Sequence, residues 1–209
     1  MKLSHAVAAS AFALLSSASH AGVLYTTGPA TGASTLCISD TGCSGGPFTA
    51  YEQFRLSKDA TITAIDWVAR FSGGAADFRG AHAAIYASDP ALGNAAPLHL
   101  IASQANPLVS NSALFSDAFT VTLANLAIEL EAGNYWIGMQ NMTGTNGATM
   151  ACSDCTLGSY TQGRDGTDEY YQRRGDLAFR VIGTVPEPAT VGLLALGLLG
   201  FAASRRSHR

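Results

Sequence analysis

Between Gly22 and Thr184 the apolar side chains recur at every second position rather than at helical spacing. In residues 61–71, Ile65, Trp67, Ala69 and Phe71 fall on one face, with Asp66 and Arg70 on the other. Within residues 115–123, Phe119, Val121 and Leu123 alternate with Thr120 and Thr122. Tyr135, Ile137 and Met139 repeat the period after Gly133-Asn134, and Leu177, Phe179 and Val181 close the segment. Further strands are expected over residues 51–57, 78–87 and 98–103. Gly, Asn, Pro and Asp punctuate the runs, and period two with such punctuation predicts an all-β, antiparallel β-sandwich of eight or more strands. No internal repeat is evident, which disfavours a propeller or a β-helix.

The two ends break this pattern. Lys2 and His5 precede the apolar residues 6–15, and small residues follow up to Ser19-His20-Ala21. Charge, apolar run and small residues in that order predict a signal peptide over 1–21, cut between Ala21 and Gly22. Lipoprotein processing would need a cysteine after the cut, and Gly22 is not one. At the other end, Val185-Pro186-Glu187-Pro188-Ala189 leads into the apolar residues 191–203 and then Arg205-Arg206-Ser207-His208-Arg209. A helix over about 189–204 rises about 1.5 Å per residue, so it falls short of a bilayer core about 30 Å thick. Terminal arginines stay on the cytoplasmic side, which leaves the preceding chain outside. Pro186 and Pro188 hold the approach to the helix extended. A plain stop-transfer anchor is the alternative. A glycosylphosphatidylinositol signal would end apolar, whereas this tail ends in charge.

Pro186-Glu187-Pro188, the short apolar helix and the terminal arginines Arg205 and Arg206 resemble the PEP-CTERM sorting signal of Gram-negative bacteria. The resemblance covers residues 185–209. It implies Sec-dependent export, transient inner-membrane insertion of an anchored precursor, and cutting near the tripeptide by an exosortase. The destination it implies is the cell surface or the exopolysaccharide matrix. Residues 22–184 remain as one extracytoplasmic domain. Its sequence of Phe54-Arg55-Leu56, residues 62–71, Ala84-Ile85-Tyr86 and Ala132-Gly133-Asn134-Tyr135-Trp136 resembles the jelly-roll-type domains found before such tails.

Residues 22–184 carry 8 Lys and Arg against 14 Asp and Glu, a net charge of −6. Apart from Arg173-Arg174 the cations are scattered, which excludes a nucleic-acid footprint. The chain contains four cysteines in two close pairs, Cys37/Cys43 and Cys152/Cys155. An oxidising compartment makes disulfides the default, with three connectivities open; local pairing would staple two loops. The Cys152-Ser153-Asp154-Cys155 spacing also suits a zinc ligand pair, or a redox pair in a strand-to-helix context.

Candidate chemistry is sparse. Gly42-Cys43-Ser44-Gly45-Gly46 fits G-x-S-x-G, but Pro47 and a strand follow it where a nucleophile elbow requires a helix. The two histidines of this body, His82 and His99, lie seventeen positions apart in the chain and have no matched carboxylate. His82 is expected on the face of Phe78 and Tyr86. Glu129 and Glu131 share a strand face and could in principle serve a glycosidase, but they precede the Ala132-Gly133 turn as a solvated face. Asp165-Gly166-Thr167-Asp168-Glu169 clusters oxygen ligands of the kind calcium favours, without the spacing of a calcium loop. Tyr170-Tyr171 with Arg173, together with Trp136, offers flat apolar faces beside fixed donors, the combination that recognises sugars. The resulting expectation is a non-enzymatic, matrix-associated protein with no catalytic residues, metal or cofactor. A carbohydrate-binding module is the first alternative and a secreted hydrolase using Ser44 or the Glu129/Glu131 pair the second.

Overall fold

The computed structural model describes residues 21–41, 43, 44, 46–92, 95–104, 108–111, 117–144 and 146–186. The expected signal peptide up to His20, the tail from Glu187 onward and the helix over 189–204 lie outside the described residues. Ala21–Thr184 forms one compact unit. Its thirteen strands are β1 (Gly22–Thr26), β2 (Gly32–Cys37), β3 (Phe48–Leu56), β4 (Ala60–Phe71), β5 (Phe78–Tyr86), β6 (His99–Gln104), β7 (Leu108–Asn111), β8 (Ala118–Leu123), β9 (Ile128–Leu130), β10 (Gly133–Thr143), β11 (Ala148–Arg164), β12 (Tyr170–Leu177) and β13 (Phe179–Thr184). Among the described residues, single 3-10 turns at Ala75–Asp77 and Pro90–Leu92 are the helical elements.

Pairing between the named strands is antiparallel, as the alternation predicts, with one isolated parallel bridge from Ser39 to Asn141, and these strands join one continuous sheet that folds over itself in sandwich fashion. One layer follows β7-β8-β4-β13-β1, with β9 alongside β4; the other follows β6-β5-β10-β3. Strand β11 belongs to both. It begins against β4, with Ala148 opposite Phe71, and ends against β3, with Thr161 opposite Tyr51.

The apolar faces read from the sequence form the core. Phe54, Ile65, Trp67, Phe71, Ile85, Ile137, Met139, Leu177, Phe179 and Val181 are all buried. Burying a side chain of this size contributes about 1.5–3 kcal/mol. A surface ion pair such as Arg164–Glu169 contributes about 0–1 kcal/mol, so packing dominates. In β4 the inward positions run Ala60 and Ile62, then shift phase to Ile65, Trp67, Ala69 and Phe71. A register irregularity on β13 between Ile182 and Gly183 marks the same point, so the shift is a β-bulge. A second irregularity, between Met142 and Thr143 of β10, leaves Arg79 unpaired on β5. It turns Phe78 inward, with its ring 4.9 Å from that of Phe71. His82 therefore shares a face with Tyr86 and not with Phe78.

Both cysteine pairs are bridged locally, Cys37 to Cys43 and Cys152 to Cys155. The first closes a loop bound to the end of β10. Ser39 Oγ lies 2.9 Å from Thr143 Oγ1, Thr41 Oγ1 donates to the Thr143 carbonyl at 2.7 Å, and the Thr143 amide donates to Asp40 at 3.0 Å. The second bridge sits where the pairing of β11 with β12 slips, between Cys152 and Ser159. In the other layer Asp66 is buried beneath a two-pronged ion pair, Arg180 Nε donating to Oδ1 at 2.9 Å and Nη2 to Oδ2 at 2.5 Å.

Candidate functional site

The outward face of the β6-β5-β10-β3 layer carries the most chemistry. Directly paired residues share a face. Trp136 pairs with Tyr86 and Gln53, Gly138 with Ala84 and Tyr51, and Gln140 with His82. On the next strands Thr49 pairs with Gly163, which pairs with Tyr170. These positions line up on the side of the sheet away from Ile137 and Met139.

Two missing side chains shape this face. A methyl group built on Gly138 would come within 2.8 Å of the Tyr51 ring, and one on Gly163 within 2.8 Å of the same ring. With glycine on each neighbouring strand, Tyr51 lies low across the sheet and reaches aromatic neighbours on both sides. Its ring centroid is 5.7 Å from Tyr86, edge to face, and 6.1 Å from Tyr170, tilted. Such offset geometries are those aromatic rings prefer. The result is a row of Tyr86, Tyr51 and Tyr170 with Trp136 beside Tyr86.

Tyr51 and Tyr86 line a groove of about 480 Å³ completed by Thr49, His82, Leu100 and Asp165, and Tyr170 adjoins it on the far side of Tyr51. Asp165 is fixed in place: Thr49 Oγ1 donates to Oδ1 at 2.7 Å and the Gln140 amide donates to Oδ2. The Gln140 amide also donates to the Phe48 carbonyl at 3.2 Å, and the Asp165 amide to the Pro47 carbonyl at 3.0 Å. Burial raises the hydroxyl pKa of Tyr51, Tyr86 and Tyr170, and the negative charge of Asp165 adds to the rise at all three. All three hydroxyls therefore stay protonated at neutral pH, with that of Tyr51 donating to the Tyr86 oxygen.

The residues singled out from the sequence divide between two faces. Trp136 and Tyr170 lie on the groove side. Tyr171 and Arg173 lie on the opposite side of β12, because neighbouring strand residues alternate. There the Arg173 guanidinium stacks 4.9 Å above the Tyr171 ring and donates from Nε to Gln162 at 3.1 Å. Sequence reasoning missed Tyr51 and Tyr86 as site residues because strand alternation alone does not report the glycines that flank Tyr51 or the pairing of Tyr86 with Trp136.

The remaining candidates sit apart. Asp165 serves the groove, while Glu169 accepts from Arg164 at 3.1 Å and from the Tyr171 hydroxyl at 3.2 Å. Among the described residues no group of three His, Cys, Asp or Glu side chains is arranged to hold a metal ion. Glu129 and Glu131 are exposed on and beside β9, and Ser44 is exposed next to the bridged Cys43. A second depression, about 540 Å³, overlies the other layer. It is lined by the Asp66–Arg180 pair and the loop at Gly28 and Pro29.

No curated protein and no solved structure matches this chain. Residues 184–206 match the family model of the PEP-CTERM protein-sorting motif, spanning Pro186-Glu187-Pro188 and both Arg205 and Arg206. The chain carries a PEP-CTERM sorting signal and is thereby marked as an exported protein directed to the cell surface by an exosortase.

Proposed function

We propose that this is a non-enzymatic protein of the cell surface or exopolysaccharide matrix, and that its β-domain works by holding extracellular polysaccharide in the Tyr86–Tyr51 groove and on the adjoining Tyr170 ring. The single observation supporting this reading is the aromatic row beside a fixed carboxylate and hydroxyls. Sugar rings present apolar faces edged with hydroxyls, and such a surface satisfies both. On this reading the sandwich is jelly-roll-like. The precursor passes the inner membrane by the Sec route and is transiently anchored by its tail.

Replacing Tyr86 or Tyr170 with alanine removes a ring and leaves the core untouched. Each variant is expected to shift from the matrix-bound to the soluble fraction, with about a tenfold loss of polysaccharide affinity. Unchanged retention of both folded variants would remove the groove as the binding surface. The export reading has its own measurement. The intact mass of surface and medium fractions is expected to begin at Gly22, end near Pro186–Pro188, and show no thiol that alkylates before reduction. A mass that still includes Arg209 would mean a retained anchor. The hydrolase reading would require turnover that falls on changing Ser44, Glu129 or Glu131.

A further inference from the structure

We propose that the groove selects sugars bearing hydroxyl or amine groups, neutral or cationic, and rejects uronate and sulfated chains. This rests on the glycan-binding reading above and adds the chemical class. Among the described residues Asp165 is the one carboxylate lining the groove, and of the basic side chains His82, but neither lysine nor arginine, lines it. Thr49 and Gln140 occupy part of its accepting capacity and aim what remains; an ionised carboxylate offers about four acceptor sites. Tyr170 feels the negative charges of Asp168 and Asp89 in addition to Asp165. Arg164 pairs with Glu169, Arg173 lies against Tyr171 on the far face, and Arg55, on the outward face further along β3, does not line the groove. An anionic sugar entering here would meet like charge with no lysine or arginine in the lining to offset it, the arrangement by which interfaces exclude wrong partners. A hydroxyl or ammonium group would instead donate to Asp165 while its ring covers tyrosine.

The test is affinity electrophoresis of the mature protein through gels containing hydroxyethyl cellulose, glycol chitosan or alginate. Retardation is expected in the neutral and amine-bearing gels and not in alginate, lost on Tyr86→Ala and Tyr170→Ala. Asp165→Asn is expected to gain retardation in alginate and to weaken it in hydroxyethyl cellulose and glycol chitosan, with a thermal unfolding transition that reports the variant is folded. Alginate binding equal to the neutral gel would overturn the selectivity and leave the glycan reading standing. An Asp165→Asn variant unchanged on alginate would overturn the role given to Asp165. No retardation in any of the three gels would overturn the glycan reading and this inference with it.

Discussion

Trp67→Ala is expected to destabilise the domain by about 3–5 kcal/mol, the range for a large buried aromatic replaced by alanine. Trp67 is 1% exposed and its Nε1 donates to Asn141 Oδ1 at 3.0 Å. Asn141 is itself fully buried on the inward side of β10 and donates through Nδ2 to the Ile38 carbonyl at 3.3 Å. One indole thus ties β4 to the opposite layer and, through Asn141, to the Cys37–Cys43 loop. Trp67→Phe should cost less: it keeps most of the ring but leaves the Asn141 carbonyl unpaired, at about 1–3 kcal/mol. Chemical denaturation of the two variants checks the ordering. Equal losses would mean that the buried hydrogen bond, absent from both variants, and not the packing of the ring accounts for the effect.

Glu52→Gln should raise stability, and by more as the pH rises. Glu52 faces inward on β3, 6% exposed, and its carboxylate accepts from the Leu177 amide at 3.2 Å. Burial pushes its pKa up to about 8 from an ordinary 4.5, with the Asp176 charge adding to the rise and the backbone hydrogen bonds from Leu177 and Gln53 opposing it. The folded state therefore holds a proton that the unfolded chain has released. Stability falls as pH climbs from about 4.5 to about 8, and the full penalty persists above that window. At about 1.36 kcal/mol per pKa unit the penalty amounts to a few kcal/mol. Glutamine retains the acceptor for Leu177 and never ionises. The variant should match the parent near pH 4 and exceed it by about 2–4 kcal/mol at pH 9. Parallel stability curves across that range would show that water or rearrangement already relieves the buried charge.

What was legible in the sequence follows from which physical signal each segment carries. Residues 65–71 and 119–123 could be read because one face is wholly buried, so alternation survives in the residue types. The β11 strand could not. Its central residues 155–159 are exposed and Tyr160 to Gly163 are buried consecutively, which leaves no period of two. Its buried positions hold Thr161 and Gln162, polar groups matched by hydrogen bonds such as Gln162 Nε2 to the Cys37 carbonyl at 2.8 Å. The short β1, β7 and β9 strands carry too few residues for a pattern, and β2, Gly-Ala-Ser-Thr-Leu-Cys, has no apolar alternation to read. For the site, Trp136 and Tyr170 were legible as aromatics off the core face. Joining them required knowing that Gly138 and Gly163 flank Tyr51 across three strands, a relation of register that no single segment encodes. The bulge at Arg79, which separates Phe78 from His82, was hidden for the same reason.

The pairing of β1 with β13 and the sharing of β11 between layers carry a consequence for the rate of folding. Gly22 pairs with Gly183 and Tyr25 with Val181, so the first strand finds its ladder partner only in the last. Closing such long loops costs entropy before any contact repays it, and domains dominated by distant pairings fold in milliseconds to seconds, not microseconds. Neither layer can be completed without β11, so no half of the sandwich offers a stable stopping point. A chain built this way stays open until its final strand is available. It then closes in one cooperative step, a timing suited to the unfolded passage that the proposed Sec route requires.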